Sequence, residues 1–187
     1  IEEIGFRVTP IGAFLIIYLW VERKNLATLS LGQRLKPFFV APLFPDEAKK
    51  MAGVKTVRGF GVRGGISLGE WIMTFFTSII FGLAHYLAGG GWEVGKITSA
   101  SVVGLAMGLT YLLYGIQAPI LLHWFFNYYN YASYFASELY TSMLITFGLT
   151  YLLTIIVGIL GWLAVMILGL HKMFRAIAKN VKSRLTP

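Results

Sequence analysis

The chain contains no cysteine, so disulfide bonds and thiolate chemistry are both excluded. Charged residues are also scarce: they make up 13% of the 187 residues, against about 25% in a typical soluble domain. No serine or lysine stands in a nucleophile motif, so a covalent mechanism lacks its attacking group. The chain is instead 57% hydrophobic. This balance predicts an integral membrane protein, with an all-α fold built as a multi-pass transmembrane helical bundle.

Four stretches after residue 70 are predicted to span the membrane. They are residues 71–88, 98–114, 118–136 and 144–170. Residues 1–20 form a polar entry to a further membrane helix, which Pro10 is expected to bend or interrupt. The chain begins within this pattern rather than at an initiator Met. We therefore expect residues 1–187 to be one membrane-embedded domain from which N-terminal helices are missing.

Glycines are spaced for close helix packing in the second of these spans. Gly104 and Gly108 form a GxxxG pattern there, and such a pair lets two helix backbones approach closely. We interpret the pattern as packing, not as function.

One long hydrophilic stretch, at about residues 22–70, interrupts the hydrophobic pattern. Nine of the sixteen Lys and Arg residues lie between Arg23 and Arg63, and five more lie between Lys172 and Arg184. Basic clusters beside spans mark the cytoplasmic side and attract anionic headgroups, so we expect a lipid bilayer as partner and no nucleic acid. Short interfacial helices are predicted at Ser30–Val40 and Asp46–Val54. Four spans after this stretch return the C-terminus to the cytoplasm.

Few polar groups lie within the membrane segments, and such groups are functional candidates by default. They are Glu2, Glu3, Arg7, His85, His123 and Asn127. Glu3 precedes Arg7 by four residues, the favourable order for a helical ion pair. His123 and Asn127 are also four apart and share one helix face. His171 lies at the end of the last span and is given no role.

Carboxylate, imidazole and amide groups can together hydrolyse an amide bond. A glutamate can act as general base toward water while a histidine shares the proton. A second histidine and an asparagine can donate hydrogen bonds to an oxyanion. Two histidines and one glutamate are also the ligands of many catalytic zinc sites, although the spacing here is not H-E-x-x-H. Both a metal-free site and a zinc site remain open from the residues alone.

Three motifs in order resemble the CPBP family, the CAAX proteases and bacteriocin-processing enzymes that are also called the Abi family. Glu2-Glu3-Ile-Gly-Phe-Arg7 matches EExxxR, Phe81-Gly-Leu-Ala-His85 matches FxxxH, and His123-Trp-Phe-Phe-Asn127 matches HxxxN. The resemblance covers residues 2–7 and about 71–131. The gap between the first two motifs, about 70 residues, is roughly twice the usual length, and the excess falls in the basic stretch.

The resemblance implies an all-helical intramembrane glutamic endopeptidase without a metal cofactor. It implies that Glu2 and His85 activate water, and that His123 and Asn127 stabilise the oxyanion. Glu3 and Arg7 match supporting positions. The substrate would be a membrane-delivered peptide, either a prenylated CAAX-like protein or a bacteriocin-type peptide.

Two other function classes stay open. A non-catalytic membrane scaffold or immunity protein could use the same polar residues to hold helices together. A proton-coupled transporter could use glutamate and histidine as a relay, but the sequence shows no inverted repeat.

Overall fold

The computed structural model describes residues 2–22, 30–87, 95–139 and 144–185. Every regular element in these ranges is a helix, which confirms the all-α fold class. The helices are α1 (Ile4–Glu22), α2 (Leu31–Val40), α3 (Pro45–Met51), α4 (Val57–Gly65), α5 (Leu68–Leu87), α6 (Gly95–Tyr114), α7 (Gln117–Leu139) and α8 (Leu144–Leu185). The loop predicted at 89–97 lies mostly outside the described residues, as does most of 138–143.

The chain forms two compact units, residues 1–127 and 128–187. The first contains α1 to α6 and the beginning of α7, and all the candidate site residues lie in it. The second contains the rest of α7 together with α8, a single helix of 42 residues. A helix of this length, about 60 Å, exceeds the thickness of a bilayer core, and its last part carries the basic residues of the C-terminal cluster.

Among the described residues, four helices are long and apolar enough to cross a membrane. They are Ile4–Glu22, Leu68–Leu87, Gly95–Tyr114 and Leu144–Arg175. The predicted spans at 71–88, 98–114 and 144–170 therefore correspond to α5, α6 and α8. Helix α7, which corresponds to the predicted span at 118–136, is long enough with 23 residues, but it is not among these four helices. Its histidine, asparagines and many tyrosines lower its hydropathy below that of a typical span.

Pro10 neither ends α1 nor interrupts it. Residues Ile4–Gly12 form a π-helix that contains Pro10, and an α-helix follows at Ala13–Glu22. Proline has no N–H to donate and its ring crowds the preceding turn. The wider π turn accommodates that ring, and such π segments recur at functional sites. The bend predicted from the sequence is thus a local widening of the helix.

Helices α5 and α6 form the most extensive helix pair of the first unit. A Cβ on Gly108 would lie 2.6 Å from Thr74, and one on Gly104 would lie 3.2 Å from the backbone of Ser78. On the other side of the pair, a Cβ on Gly82 would lie 2.5 Å from the carbonyl of Ile97. The interpretation of the GxxxG pattern as packing is therefore confirmed.

The basic stretch folds into three short helices rather than the two predicted. Helix α2 begins with a capping box between Ser30 and Gln33, and α3 has Pro45 in its first turn. The third, α4, lies in a glycine-rich segment that gave no helix signal. Asp46 holds its first turn, since its two carboxylate oxygens accept hydrogen bonds from the backbone of Val57 at 2.5 Å and of Arg58 at 3.2 Å.

A buried ion pair joins α3 to α5. The ammonium of Lys49 lies 2.9 and 3.0 Å from the two carboxylate oxygens of Glu70, and it also donates to the carbonyl of Gly65. Glu70 in turn accepts from the backbone N–H of Ser67 at 2.7 Å and so caps α5. Because both charged side chains are buried, this pair fixes α3 and α4 against the start of a membrane helix.

Candidate active site

Two of the candidate residues form an ion pair at the beginning of α1. Nη1 of Arg7 donates to Oε1 of Glu3 at 3.2 Å, one helical turn away. The side chains are only 2% and 5% exposed. The pair predicted from the sequence spacing is therefore present, and it is buried within the bundle.

Arg7 also connects α1 to two other helices. Its Nη2 donates to the carbonyl oxygen of Gly104 at 3.2 Å and lies 3.7 Å from the sulfur of Met107, both on α6. Its guanidinium carbon lies 4.5 Å from the centre of the Phe81 ring on α5, a distance typical of a cation–π contact. These partners satisfy a charge that would be costly to bury alone.

Glu3 makes a second strong contact, with the HxxxN motif. Its Oε1 lies 2.7 Å from Nδ1 of His123 on α7. On the other side of the same ring, Nε2 of His123 lies 3.6 Å from Oε2 of Glu2. The imidazole therefore stands between two adjacent carboxylates, of which Glu3 is buried and Glu2 is 55% exposed.

The contact with Glu3 bears on the tautomer of the His123 ring. Where Glu3 is ionised, its carboxylate only accepts hydrogen bonds, so Nδ1 carries the hydrogen of this contact. Nε2 is then the nitrogen that faces Glu2. A histidine oriented through one nitrogen is ready to exchange a proton through the other.

The second oxygen of Glu3 has no hydrogen-bond partner among the described residues, although it is buried. A buried carboxylate oxygen left unsatisfied is costly, and such an oxygen is a natural place for a water molecule. Glu3 therefore has one oxygen committed to Arg7 and His123 and another available to a ligand.

The FxxxH histidine lies next to this group, but within the described residues it forms no hydrogen bond or ion pair with either glutamate. Nδ1 of His85 lies 2.9 Å from the carbonyl oxygen of Phe81, one turn earlier on α5. The Phe81 ring packs against both histidines, with centroid distances of 4.3 Å to His85 and 6.0 Å to His123. The structure thus places the two imidazoles around one aromatic ring, and it is His123 that contacts the carboxylates.

Asn127 follows His123 by one turn on α7. Its side chain is exposed, and it makes no hydrogen bond within the part of the chain that the structure describes. The structure therefore brings Glu2, Glu3, Arg7 and His123 into contact, holds His85 nearby through Phe81, and leaves the Asn127 amide free to bind a ligand.

Three residues around Arg7 were not among the predicted site residues. Phe81, Gly104 and Met107 surround its guanidinium. Phe81 is the first residue of FxxxH and Gly104 is the first glycine of GxxxG, so both positions carried a sequence signal. Neither motif, however, predicts that these residues contact the Arg7 side chain.

The carboxylates and imidazoles of the described ranges do not include a group of three placed to hold one metal ion. Nδ1 of His123 and Oε1 of Glu3 are already bound to each other. The groups left for any ligand are Nε2 of His123, the Glu2 carboxylate and Oε2 of Glu3. This donor set suits a water molecule held between a base and an imidazole.

These features define a helical membrane protein with a buried site of carboxylate, guanidinium and imidazole groups. Residues 55–129 match the family model described as "Type II CAAX prenyl endopeptidase Rce1-like". The match confirms the resemblance to the CPBP family, in which this model lies, and at the family level it supports a CAAX-type membrane protease. It includes the FxxxH and HxxxN motifs and α4 to α6. Searches of curated proteins and of solved structures gave no match.

Proposed function

We propose that the chain is an intramembrane endopeptidase that hydrolyses a peptide bond of a membrane-delivered substrate, either a prenylated CAAX-like protein or a bacteriocin-type peptide. The observation that carries the proposal is the position of the His123 imidazole between Glu2 and Glu3. The family match supports a peptidase at a coarser level.

The proposed mechanism uses water as the nucleophile. Glu2, the exposed carboxylate, takes a proton from a water molecule held close to Nε2 of His123, and the water oxygen attacks the carbonyl carbon of the substrate. Glu3 and Arg7 act as positioning residues, because Glu3 holds Nδ1 of His123 and Arg7 holds Glu3. Glu2 then passes its proton to the amine that leaves as the C–N bond breaks.

The developing oxyanion needs hydrogen-bond donors. Asn127 offers its side-chain amide on the same helix as His123. We propose that this amide donates to the oxygen, together with Nε2 of His123 when both ring nitrogens carry a hydrogen. His85 is proposed to share the proton of the attacking water, as the family resemblance implies. Substrate binding would have to bring His85 and Asn127 to the carboxylates.

The membrane setting of the proposal follows from the charge pattern. We propose a cell-membrane protein whose basic stretch and C-terminus both face the cytoplasm. Nine of its sixteen cations lie in the basic stretch and five in the C-terminal one, and the K/R bias sets orientation in most membrane proteins.

The direct test uses purified full chain in lipid bilayers and a library of internally quenched prenylated peptides, with the reaction run in ¹⁸O-labelled water. We expect cleavage with one ¹⁸O atom in the new carboxylate, and no cleavage by Glu2→Gln. Glu22→Gln is the matched control, because Glu22 is an exposed carboxylate at the other end of α1. A chelator should leave the activity intact. Activity lost with a single bound zinc ion would instead support the metalloprotease alternative.

A second candidate function, a non-catalytic scaffold or immunity protein, has one observation in its favour. The Glu3–Arg7–Gly104 chain links α1 to α6 and explains these two buried charges without catalysis. Glu2 separates the two candidates, since its exposed side chain contributes little to packing. A scaffold would lose nothing when Glu2 is replaced by Gln, whereas a peptidase would lose its turnover.

A further inference from the structure

Helix α2 presents an apolar stripe that no part of the described chain covers. Leu31, Leu35 and Phe39 follow one another at intervals of four residues, which places them along one side of the helix. They are 72%, 40% and 76% exposed. The opposite side, with Pro37 and the following Ala41, is buried. The helix therefore has two apolar sides, of which the described part of the chain covers one.

The buried side places α2 at the end of a membrane helix. Ala41 belongs to a buried cluster with Leu15 and Leu19, in the last two turns of α1. The Phe38 ring also packs on Trp20, at a centroid distance of 5.7 Å. Since α1 is long and apolar enough to cross a bilayer, a helix attached to its last turns lies at the boundary between acyl chains and headgroups.

The charge of this segment identifies the surface that it fits. Residues 30–45 contain Arg34 and Lys36 and no acidic residue, and the preceding seven residues add Arg23 and Lys24. Lys36 is exposed and directly follows Leu35 of the stripe. An exposed apolar stripe with cations at its edge complements an anionic leaflet, into which the apolar side chains insert while the cations contact phosphate groups.

The segment after α2 is held in place by the rest of the protein. The carbonyl of Pro42 accepts a hydrogen bond from the Tyr111 hydroxyl at 2.8 Å, and the carbonyl of Leu43 accepts one from the backbone of Ile116 at 2.9 Å. The C-terminal end of α2 is therefore fixed to α6 and to the turn that follows it. The orientation of the exposed stripe is set by the fold.

We propose that α2 is an interfacial anchor that docks on an anionic lipid leaflet through Leu31, Leu35 and Phe39, with Lys36 binding lipid phosphate. The anchor is independent of the proposed peptidase activity. It fixes the last turns of α1 relative to the membrane surface, and its partner is an anionic phospholipid headgroup, for which phosphatidylglycerol serves as the probe.

Because the chain contains no cysteine, a fluorophore can be attached at a single introduced cysteine. A single Phe39→Cys substitution in the full chain carries an environment-sensitive fluorophore, in vesicles that contain phosphatidylcholine and phosphatidylglycerol. A shallow doxyl quencher is placed on one lipid or the other at equal mole fraction. A label at Ile159, which is exposed in the apolar part of α8, is the control for ordinary contact with lipid.

We expect blue-shifted emission at Phe39 and quenching by doxyl-phosphatidylglycerol that is roughly two- to fivefold stronger than by doxyl-phosphatidylcholine. The Ile159 label should be quenched equally by both lipids. Lys36→Glu should abolish the stronger quenching by doxyl-phosphatidylglycerol at position 39, and Lys36→Arg should preserve it. Water-like emission at Phe39, equal quenching by the two lipids, or an excess that survives Lys36→Glu would each overturn the proposal.

Discussion

Glu3 and His123 are 120 residues apart in sequence, yet the carboxylate Oε1 and the imidazole Nδ1 lie 2.7 Å apart. This contact joins the EExxxR motif on α1 to the HxxxN motif on α7. It also separates the two adjacent glutamates by environment, since Glu3 is buried in an ion pair with Arg7 while Glu2 is exposed on the far side of the imidazole. Their substitutions should therefore have different effects.

Glu3→Gln should lower stability as well as activity. It leaves the buried Arg7 guanidinium without its counter-charge, and breaking a buried ion pair from one side costs about 3–5 kcal/mol. Glu2→Gln, at an exposed position, should abolish turnover with almost no change in stability. Unfolding in mixed micelles, measured for both variants beside a peptide-cleavage assay, checks this difference.

The matched double variant Glu3→Gln with Arg7→Met should be more stable than Glu3→Gln alone, because it removes the unpaired charge. If Glu2→Gln proves the destabilising variant and Glu3→Gln the stable one, the burial of the two side chains has been assigned in the wrong order.

His123→Asn should separate the structural role of Nδ1 from the catalytic role of Nε2. The amide of asparagine can donate to Glu3 from about the position of Nδ1, but nothing replaces Nε2. We expect stability close to that of the unsubstituted chain and loss of turnover. His123→Ala should lose both, because Oε1 of Glu3 then keeps only its hydrogen bond from Arg7, and a lost hydrogen bond to a charged group costs about 1.5–3 kcal/mol. Equal stability of the two variants would show that the Glu3 contact contributes nothing to folding.

Asn127→Ala should reduce kcat about a hundred- to a thousandfold with little change in KM, as expected for an oxyanion donor that acts in the transition state. Its side chain is exposed, so thermal stability should not change. Steady-state kinetics with one cleavable peptide, together with an unfolding curve, measures both. A rise in KM at constant kcat would place Asn127 in substrate binding instead.

Gly82→Ala should destabilise the α5–α6 pair. The added methyl group would lie 2.1 Å from the hydroxyl oxygen of Ser101 and 2.5 Å from the carbonyl of Ile97, and overpacking of this kind costs about 1–3 kcal/mol. Gly148→Ala in α8 is the control, because no atom lies within 4 Å of its Cβ position. Unfolding in mixed micelles compares the two. If the two variants are equally stable, the close contact of α5 with α6 at Gly82 contributes nothing to stability.

Reporter fusions should locate the two basic regions on the same side of the membrane. Fusions at Lys50 and at Thr186 are expected to give the same cytoplasmic signal, because Lys and Arg are retained on that side. A fusion in the 138–143 region, which contains no Lys or Arg, should give the opposite signal. Different signals from Lys50 and Thr186 would change the number of spans between them, and α7 would be the first helix to reconsider.

Local sequence features predicted most of the helices and some of their contacts. The i,i+4 spacing of Glu3 and Arg7 predicted their ion pair, and the spacing of Gly104 and Gly108 predicted close packing. Both predictions depend on residues within one helical turn. The contact between Glu3 and His123 could not be derived in this way, because it depends on how α1 and α7 are placed by the helices between them.

Helix α4 was missed for a different reason. Its sequence contains four glycines, each unfavourable in a helix by about 1 kcal/mol relative to alanine, and Gly61 breaks the helical geometry with φ of +70°. The helix begins because Asp46, eleven residues earlier, binds its first backbone N–H groups. Tertiary hydrogen bonds thus outweigh a poor local propensity.

The π segment around Pro10 has a consequence for the choice between the two glutamates. A π turn contains one residue more than the α turn that it replaces, and one residue corresponds to about 100° of rotation around a helix. The side chains before the segment are therefore rotated relative to those of Ala13–Glu22. Deleting one residue from Ile4–Gly12 and restoring α geometry would turn the N-terminal end by about that angle. The phase of the helix, and not the identity of two like residues, then decides which carboxylate is buried beside Arg7 and which remains open to water.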